Sequence, residues 1–253
     1  MITADKIWGI LREPMKFLGA EVHVWRVSLE QPPRSLERLL ATLSLDEKER
    51  AERFHFDRDR NRFIAARGTL RSILGGYLSR EPAEIRFCYG EHGKPFLERE
   101  IAGDKLRFNV SHSHELALFA VTEGRDLGVD LEWIRPDVAE EGIAERFFSA
   151  DEVRVLRGLP AEIQGEAFFN CWTRKEAYIK AIGEGLSMPL SRFVVSLAPG
   201  EAPCLLSANG SADHSEVTRW TFRELSPGTG YKAAVVAEGR DWELKCWDWR
   251  GNE

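Results

Sequence analysis

Apolar side chains recur with two different periods along this chain, and the switches between them outline its elements. Alternation with a period of two marks strands. Glu21–Leu29 is one, with Val22, Val24 and Arg26 set against His23, Trp25 and Val27. Others are predicted at Ile85–Tyr89, from Leu106 into a Ser111-His112-Ser113-His114 corner, at Leu116–Val121 and at Leu127–Trp133. In the tail, Phe193–Leu197, Val217–Leu225, Tyr231–Ala237 and Trp242–Trp249 read as strands, most of them divided by turn-rich segments.

Steps of three and four residues mark helices. Ser35–Leu43 is followed by Ser44-Leu45-Asp46-Glu47, a cap for a charged helix ending near His55. Arg58–Leu78 is a long helix with Phe63, Ala66, Leu70, Ile73, Leu74 and Tyr77 as its buried stripe. Its Arg62, Arg67 and Arg71, joined by Arg50 and Arg53, read as solvated surface pairs with Glu47, Glu49, Glu52 and Asp57. Val138–Phe148 is predicted helical, and Ser149-Ala150-Asp151-Glu152 is a capping box opening a helix to about Arg157. The heaviest stripe (Phe168, Phe169, Trp172, Ile179) belongs to a helix that runs until Gly183 stops it. That helix carries Glu176 and Lys180 one turn apart on the same side. The first twenty residues show no clear period and read as a loosely packed leader.

Each half therefore holds helices and several strands. Ala120-Val121-Thr122-Glu123-Gly124 resembles Val235-Val236-Ala237-Glu238-Gly239, which points to an internal duplication with a boundary near Leu127. The 253 residues, 43% hydrophobic and 30% charged, suit a soluble globule with an ample core. A net charge of −6 argues against a general nucleic-acid binder. Four cysteines with no C-x-x-C pair argue against a zinc site or a disulfide scaffold. No apolar run approaches the ~20 residues that span a bilayer. The N-terminus, with Asp5, Lys6, Arg12 and Glu13, lacks a signal-peptide core, so a cytoplasmic protein is expected.

Chemistry concentrates at Asp130 and Glu132, which alternate with Val129, Leu131 and Trp133 and so share one face of a strand. Two carboxylates at i and i+2 repel unless water or a cation lies between them. With Glu176 added, they make an oxygen-rich set suited to Mg²⁺, which keeps waters and substrate phosphates among its ligands. Read plainly, the three are two surface acids and one helix ion pair. Two functional readings compete with that: a two-metal nuclease, and transfer from a phosphorylated small molecule with Lys94, His112, Lys180 and the arginine side as an anion clamp. A serine hydrolase is excluded, because Ser111 and His112 are adjacent and no G-x-S-x-G elbow exists.

Four segments in order, Gly93-Lys94-Pro95, Phe108-Asn109-Val110-Ser111-His112-Ser113, Gly128-Val129-Asp130-Leu131-Glu132 and Trp172-Thr173-Arg174-Lys175-Glu176-Ala177-Tyr178-Ile179-Lys180-Ala181-Ile182-Gly183-Glu184-Gly185-Leu186, together resemble the Sfp-type 4′-phosphopantetheinyl transferases. Phe147-Phe148-Ser149 and Arg71 also fit. The resemblance implies an α+β fold of two similar halves packed as an intramolecular pseudodimer, residues 1–126 clamping the nucleotide of coenzyme A and residues 127–253 carrying the acids and the catalytic helix. It implies that the phosphopantetheine arm of CoA passes to a serine of an apo acyl or peptidyl carrier protein. Asp130, Glu132 and Glu176 would hold Mg²⁺ (or Mn²⁺). Glu176 would act as base, directly or through water, and Lys180 would hold the diphosphate. Arg50, Arg62, Lys94, Pro95, Asn109, Ser111, His112, Asp130 and Lys180 would bind CoA. Arg50 stands where relatives carry lysine, and Phe63 where some offer a hydroxyl to the 3′-phosphate. A monomer is expected, without nucleic-acid or membrane partners. The competing class is a non-catalytic CoA-binding or carrier-interaction protein descended from such enzymes.

Overall fold

The structure is a computed structural model that describes residues 8–10, 15–90, 93–102, 105–135, 142–183, 188–208 and 214–251. Its first elements are β1 (Trp8–Gly9), β2 (Glu21–Ser28), α1 (Pro33–Thr42), α2 (Leu45–Glu52), α3 (Asp57–Leu78), β3 (Phe87–Tyr89), β4 (Pro95–Leu97) and α4 (Arg99–Ala102). Then come β5 (Leu106–Ser113), β6 (Leu116–Glu123), β7 (Leu127–Trp133), α5 (Ile143–Phe147), α6 (Ala150–Gly158) and α7 (Ala161–Ile182). The tail adds β8 (Val194–Val195), β9 (Leu205–Ser207), α8 (His214–Arg219), β10 (Trp220–Leu225), β11 (Tyr231–Glu238) and β12 (Glu243–Asp248).

Two sheets dominate. The first has the order β1-β12-β2-β6-β5, parallel from β1 to β2 and antiparallel from β2 to β5. The second, β10-β11-β7, is antiparallel. One unit builds both: a strand, a 22-residue helix, then a hairpin whose second strand lies between the other two. It appears as β2-α3-β5-β6 and again as β7-α7-β10-β11. The sequence repeat falls at the same point of each copy, the ends of the central strands β6 and β11. There Gly124 and Gly239 take φ of 67° and 86°, where a side chain would be strained. Their N–H groups close the two hairpins on Lys105 O and Arg219 O, each at 2.8 Å. The fold is α+β with two similar halves, in agreement with the repeat seen in the sequence. The last strand, β12, returns from the second half to lie between β1 and β2.

Alternation along the strands sorts the side chains into layers. Trp25, Val27, Phe119 and Val121 face α3. Val22, Val24, Leu118 and Ala120 meet Val129, Leu131, Val235 and Ala237 between the sheets. Ala234 and Val236 turn the other way, onto Phe168, Tyr178 and Ile179 of α7. The order is therefore helix, sheet, sheet, helix.

Several expectations need correction. The segment before residue 20 contains β1, and Trp8 is buried with its indole donating to Ser226 O at 2.8 Å; two residues are too few to show a period. Val217–Arg219 is helical and the strand begins at Trp220, because Glu216 accepts hydrogen bonds from both Tyr178 and the Trp220 indole. On α3, Phe63, Ala66 and Tyr77 are only half-buried, while Ile64 and Ala65 are buried. Arg71 and Glu47 are not a solvated pair. Both are 2% exposed and joined at 2.7 Å, and Arg71 also donates to Pro82 O and Ile85 O. Of the helix expected at Val138–Phe148, residues 143–147 are helical, and residues 136–141 lie outside the described residues. So do Glu184, Gly185 and Leu186 of the α7 motif.

Candidate active site

The site begins with a missing side chain. Gly128, Asp130 and Glu132 alternate on the face of β7 turned toward α7. A Cβ on Gly128 would lie 2.0 Å from Ala177 O and 2.5 Å from Ala181 N, so only glycine lets the helix lie this close. With the contact made at Ala177 and Ala181, Glu176 and Lys180 fall beside the acids two and four residues further along β7. Lys180 Nζ reaches Asp130 Oδ1 at 2.7 Å, Ser111 Oγ at 3.1 Å and Val129 O at 3.2 Å.

Buried bases hold α7 in register from behind. Lys175 is fully buried and donates to Leu190 O and Phe193 O, and it pairs with Glu152 at 2.8 Å. Glu152 also accepts from Ser149 N, as its capping box requires, and from Val195 N. Arg174 donates to Ser196 O at 2.7 Å. These bonds tie α7 to the 190–196 segment.

A cleft of about 800 Å³ opens where these elements meet. Its polar lining is Ser111, His112, Asp130, Glu132, Glu176 and Lys180, and its apolar lining includes Phe147, Trp172, Met188, Pro189 and Leu190. That volume fits an organic ligand with one polar end. Crowding the acids perturbs them. Burial first and then the Asp130 carboxylate push Glu176 up to about 7, with Lys180 pulling the other way. Glu132 is raised by the same two causes, against hydrogen bonds from Ser113 and the Trp172 indole. His112 is lowered, first by desolvation and then by Lys180. Near neutral pH, Glu176 is thus poised to take a proton.

Six of the expected residues (Ser111, His112, Asp130, Glu132, Glu176 and Lys180) therefore line one cleft. Lys94 meets its edge, donating to Lys180 O at 2.5 Å from the β3–β4 loop, and burial lowers its pKa. Asn109 is buried with its Oδ1 accepting the Val129 N–H at 3.0 Å. Arg62 pairs with Glu30 at 2.7 Å, Arg50 is exposed over the Phe63 ring, and Pro95 opens β4. In the sequence Trp172 reads as a core stripe residue and Phe147 as part of a motif, and their place in the cleft lining is not apparent there. Helical arithmetic could have found Trp172, which stands one turn before Glu176 as Lys180 stands one turn after.

Asp130 Oδ2 is buried and has no hydrogen-bond partner among the described residues. No group of three or more His, Cys, Asp or Glu side chains among those residues forms a ready-made metal cage. The donor set still fits a divalent cation that brings its own waters, because Asp130 Oδ2 is buried without a partner among the described residues and Glu132 and Glu176 line the same cleft.

Both halves of the chain match known proteins. Residues 126–236 match the model of the 4′-phosphopantetheinyl transferase superfamily, and residues 25–124 match the 4′-phosphopantetheinyl transferase N-terminal model. The chain is 45% identical over 233 residues to the 4′-phosphopantetheinyl transferase HetI of a Nostoc species, covering 92% of this chain and 94% of that protein. It is 32% identical over 206 residues to the 4′-phosphopantetheinyl transferase Sfp of Bacillus subtilis, with coverage of 81% and 86%. It is 31% identical over 220 residues to the 4′-phosphopantetheinyl transferase ffp of the same species, with coverage of 86% and 93%. With both halves matched and the acids and lysine of its motifs gathered in one cleft, the chain belongs to the 4′-phosphopantetheinyl transferase superfamily.

Proposed function

We propose that this chain transfers the 4′-phosphopantetheine arm of CoA to a serine hydroxyl of an apo acyl or peptidyl carrier protein, releasing 3′,5′-ADP. The observation that carries this reading is the gathering of Glu176, Asp130, Glu132 and Lys180 in one cleft, where burial and the Asp130 carboxylate raise the pKa of Glu176. A serine hydroxyl is a poor nucleophile until a nearby base takes its proton. Glu176 accepts that proton, and the serine oxygen forms a bond to the phosphorus bearing pantetheine. The bond from that phosphorus to the bridging oxygen breaks, and its electron pair leaves on 3′,5′-ADP. Lys180 offsets the negative charge that grows on the leaving diphosphate oxygen. Asp130, Glu132 and Glu176 would hold Mg²⁺, which supplies further charge neutralisation at the diphosphate when bound.

Phe147, Trp172 and Leu190 give the same cleft an apolar lining that suits the pantetheine chain. Lys94, with Arg50 further out, supplies positive charge for the nucleotide phosphates, and His112, whose charge is disfavoured by burial and by Lys180, offers them a ring N–H. Asn109 and Arg62 already have protein partners, which leaves them less free to do so. The two family matches meet between residues 124 and 126, which supports a nucleotide-clamping half up to residue 126 and an acid-bearing half from 127. No helix among the described residues is long and apolar enough to cross a membrane. Intact-protein mass spectrometry of apo carriers incubated with the chain, CoA and Mg²⁺ tests the reading. The expected result is a mass gain of one phosphopantetheine arm, abolished by EDTA. CoA binding with no gain on any carrier would overturn it in favour of a non-catalytic role.

A further inference from the structure

Strands β5 and β7 run side by side where the two halves meet, yet they belong to different sheets and share no backbone ladder. Side chains take the place of that ladder. Asn109 Oδ1 accepts the Val129 N–H at 3.0 Å, Ser111 Oγ accepts the Leu131 N–H at 3.2 Å, and Ser113 Oγ accepts the Trp133 N–H at 3.0 Å. The three rungs keep a constant offset of 20 residues, so the strands run parallel. Every second residue of β5 thus holds every second residue of β7. The spacing follows from the two-residue period of both strands.

The two serines do a second thing that the asparagine does not. A hydroxyl has one proton to give besides the lone pairs that accept. Ser111 donates its proton to Asp130 Oδ1 at 3.0 Å, and Ser113 donates its proton to Glu132 Oε2 at 3.1 Å. Each serine therefore grips both the peptide N–H after an acid and the acid itself. Ser111 shares this task with Lys180, which also reaches it. The ties of Ser113 are Trp133 N and Glu132. The first half of the molecule thereby orients the carboxylates of the second.

We infer that Ser113 is a positioning residue for Glu132, fixing through its bridge between Trp133 N and Glu132 Oε2 which carboxylate oxygen is presented to a cation in the cleft. The inference rests on the metal role proposed above for Glu132. Residues that hold a ligand carboxylate by hydrogen bonding typically change metal affinity about 10- to 100-fold when removed. A residue that served only to join two strands would change stability and leave affinity alone.

The test measures Mn²⁺ binding directly, by electron paramagnetic resonance of the free ion, on the intact chain and on its Ser113→Ala and Ser113→Thr variants, with unfolding temperatures alongside. The expected result is Mn²⁺ dissociation constants weakened about tenfold in Ser113→Ala and returned to within about threefold of wild type in Ser113→Thr, which keeps the hydroxyl. In carrier modification, the Mg²⁺ needed for half-maximal rate should rise by a similar factor, with the KM for CoA at saturating Mg²⁺ unchanged. Wild-type Mn²⁺ affinity in a folded Ser113→Ala variant would overturn the inference and leave the proposed reaction standing. A wild-type chain that modifies carriers without binding Mn²⁺ or Mg²⁺ would overturn the inference together with the metal role it rests on.

Discussion

Gly128→Ala adds a single methyl group at the point where helix and sheet touch most closely. The new carbon would lie 2.0 Å from Ala177 O and 2.5 Å from Ala181 N, whereas ordinary contact begins near 3.4 Å. Both atoms are backbone, so no rotamer change relieves the clash, and α7 must retreat from β7 by more than an ångström. Overpacking of this kind costs about 1–3 kcal/mol, and more where backbone has to move. The same retreat lengthens the 2.7 Å contact between Lys180 and Asp130 and carries Glu176 away from the acids. A misplacement of about 1 Å can cost on the order of 100-fold in rate. Urea unfolding and single-turnover carrier modification measure the two effects on one preparation. We expect a stability loss of at least about 2 kcal/mol and a rate lowered about 100-fold or more. A Gly128→Ala variant with wild-type stability and rate would refute the argument that glycine sets the distance between α7 and the acids.

Three further outcomes are expected. Glu176 should titrate near 7 in the metal-free chain, by carbon-13 NMR of its carboxyl, and fall when Mg²⁺ is added; a metal-free value near the ordinary 4.5 would contradict the burial argument. Because the fold raises this pKa, the native state holds a proton that the unfolded chain has released between pH 4.5 and about 7, so stability falls across that window as pH rises. Glu176→Gln should therefore be more stable than wild type at pH 8, by up to about 3 kcal/mol, with the gap closing toward pH 4.5; no gap at pH 8 would contradict it. Lys175→Met strands the buried Glu152 carboxylate and should cost about 3–5 kcal/mol in urea unfolding, whereas a cost under about 1 kcal/mol would show the pair to be dispensable.

What the sequence revealed and what it hid follow from the range of the forces involved. Periodicity is local, so it placed β2, α3, β5, β7 and the C-terminal stop of α7 at Gly183, where φ is 79°. Sharing a strand face is also local, and alternation alone sets Asp130 and Glu132 side by side. Long-range satisfaction of buried charge was invisible. Arg71 sat among arginines spaced like a solvated face, and only the fold brings Glu47, Pro82 O and Ile85 O around it. Lys175, next to Glu176 in sequence, had no assigned role because its partners Glu152, Leu190 and Phe193 come from two other segments. Gly128 read as one letter of a motif, and its reason, the backbone of α7, lies about fifty residues away. Ser113 stood out only as part of the Ser111–His114 corner and of a motif, and it had no assigned role because its partners Glu132 and Trp133 lie on a second strand.

The central claim is that Glu176 is the base that takes the proton of the carrier serine. The most direct measurement is the single-turnover rate of carrier modification by Glu176→Gln, at saturating CoA and Mg²⁺, with circular dichroism to show an unchanged fold. The amide keeps the shape and cannot take a proton, so the rate should drop about 10²- to 10⁴-fold. A folded Glu176→Gln chain that modifies its carrier within about twofold of the wild-type rate would contradict the account.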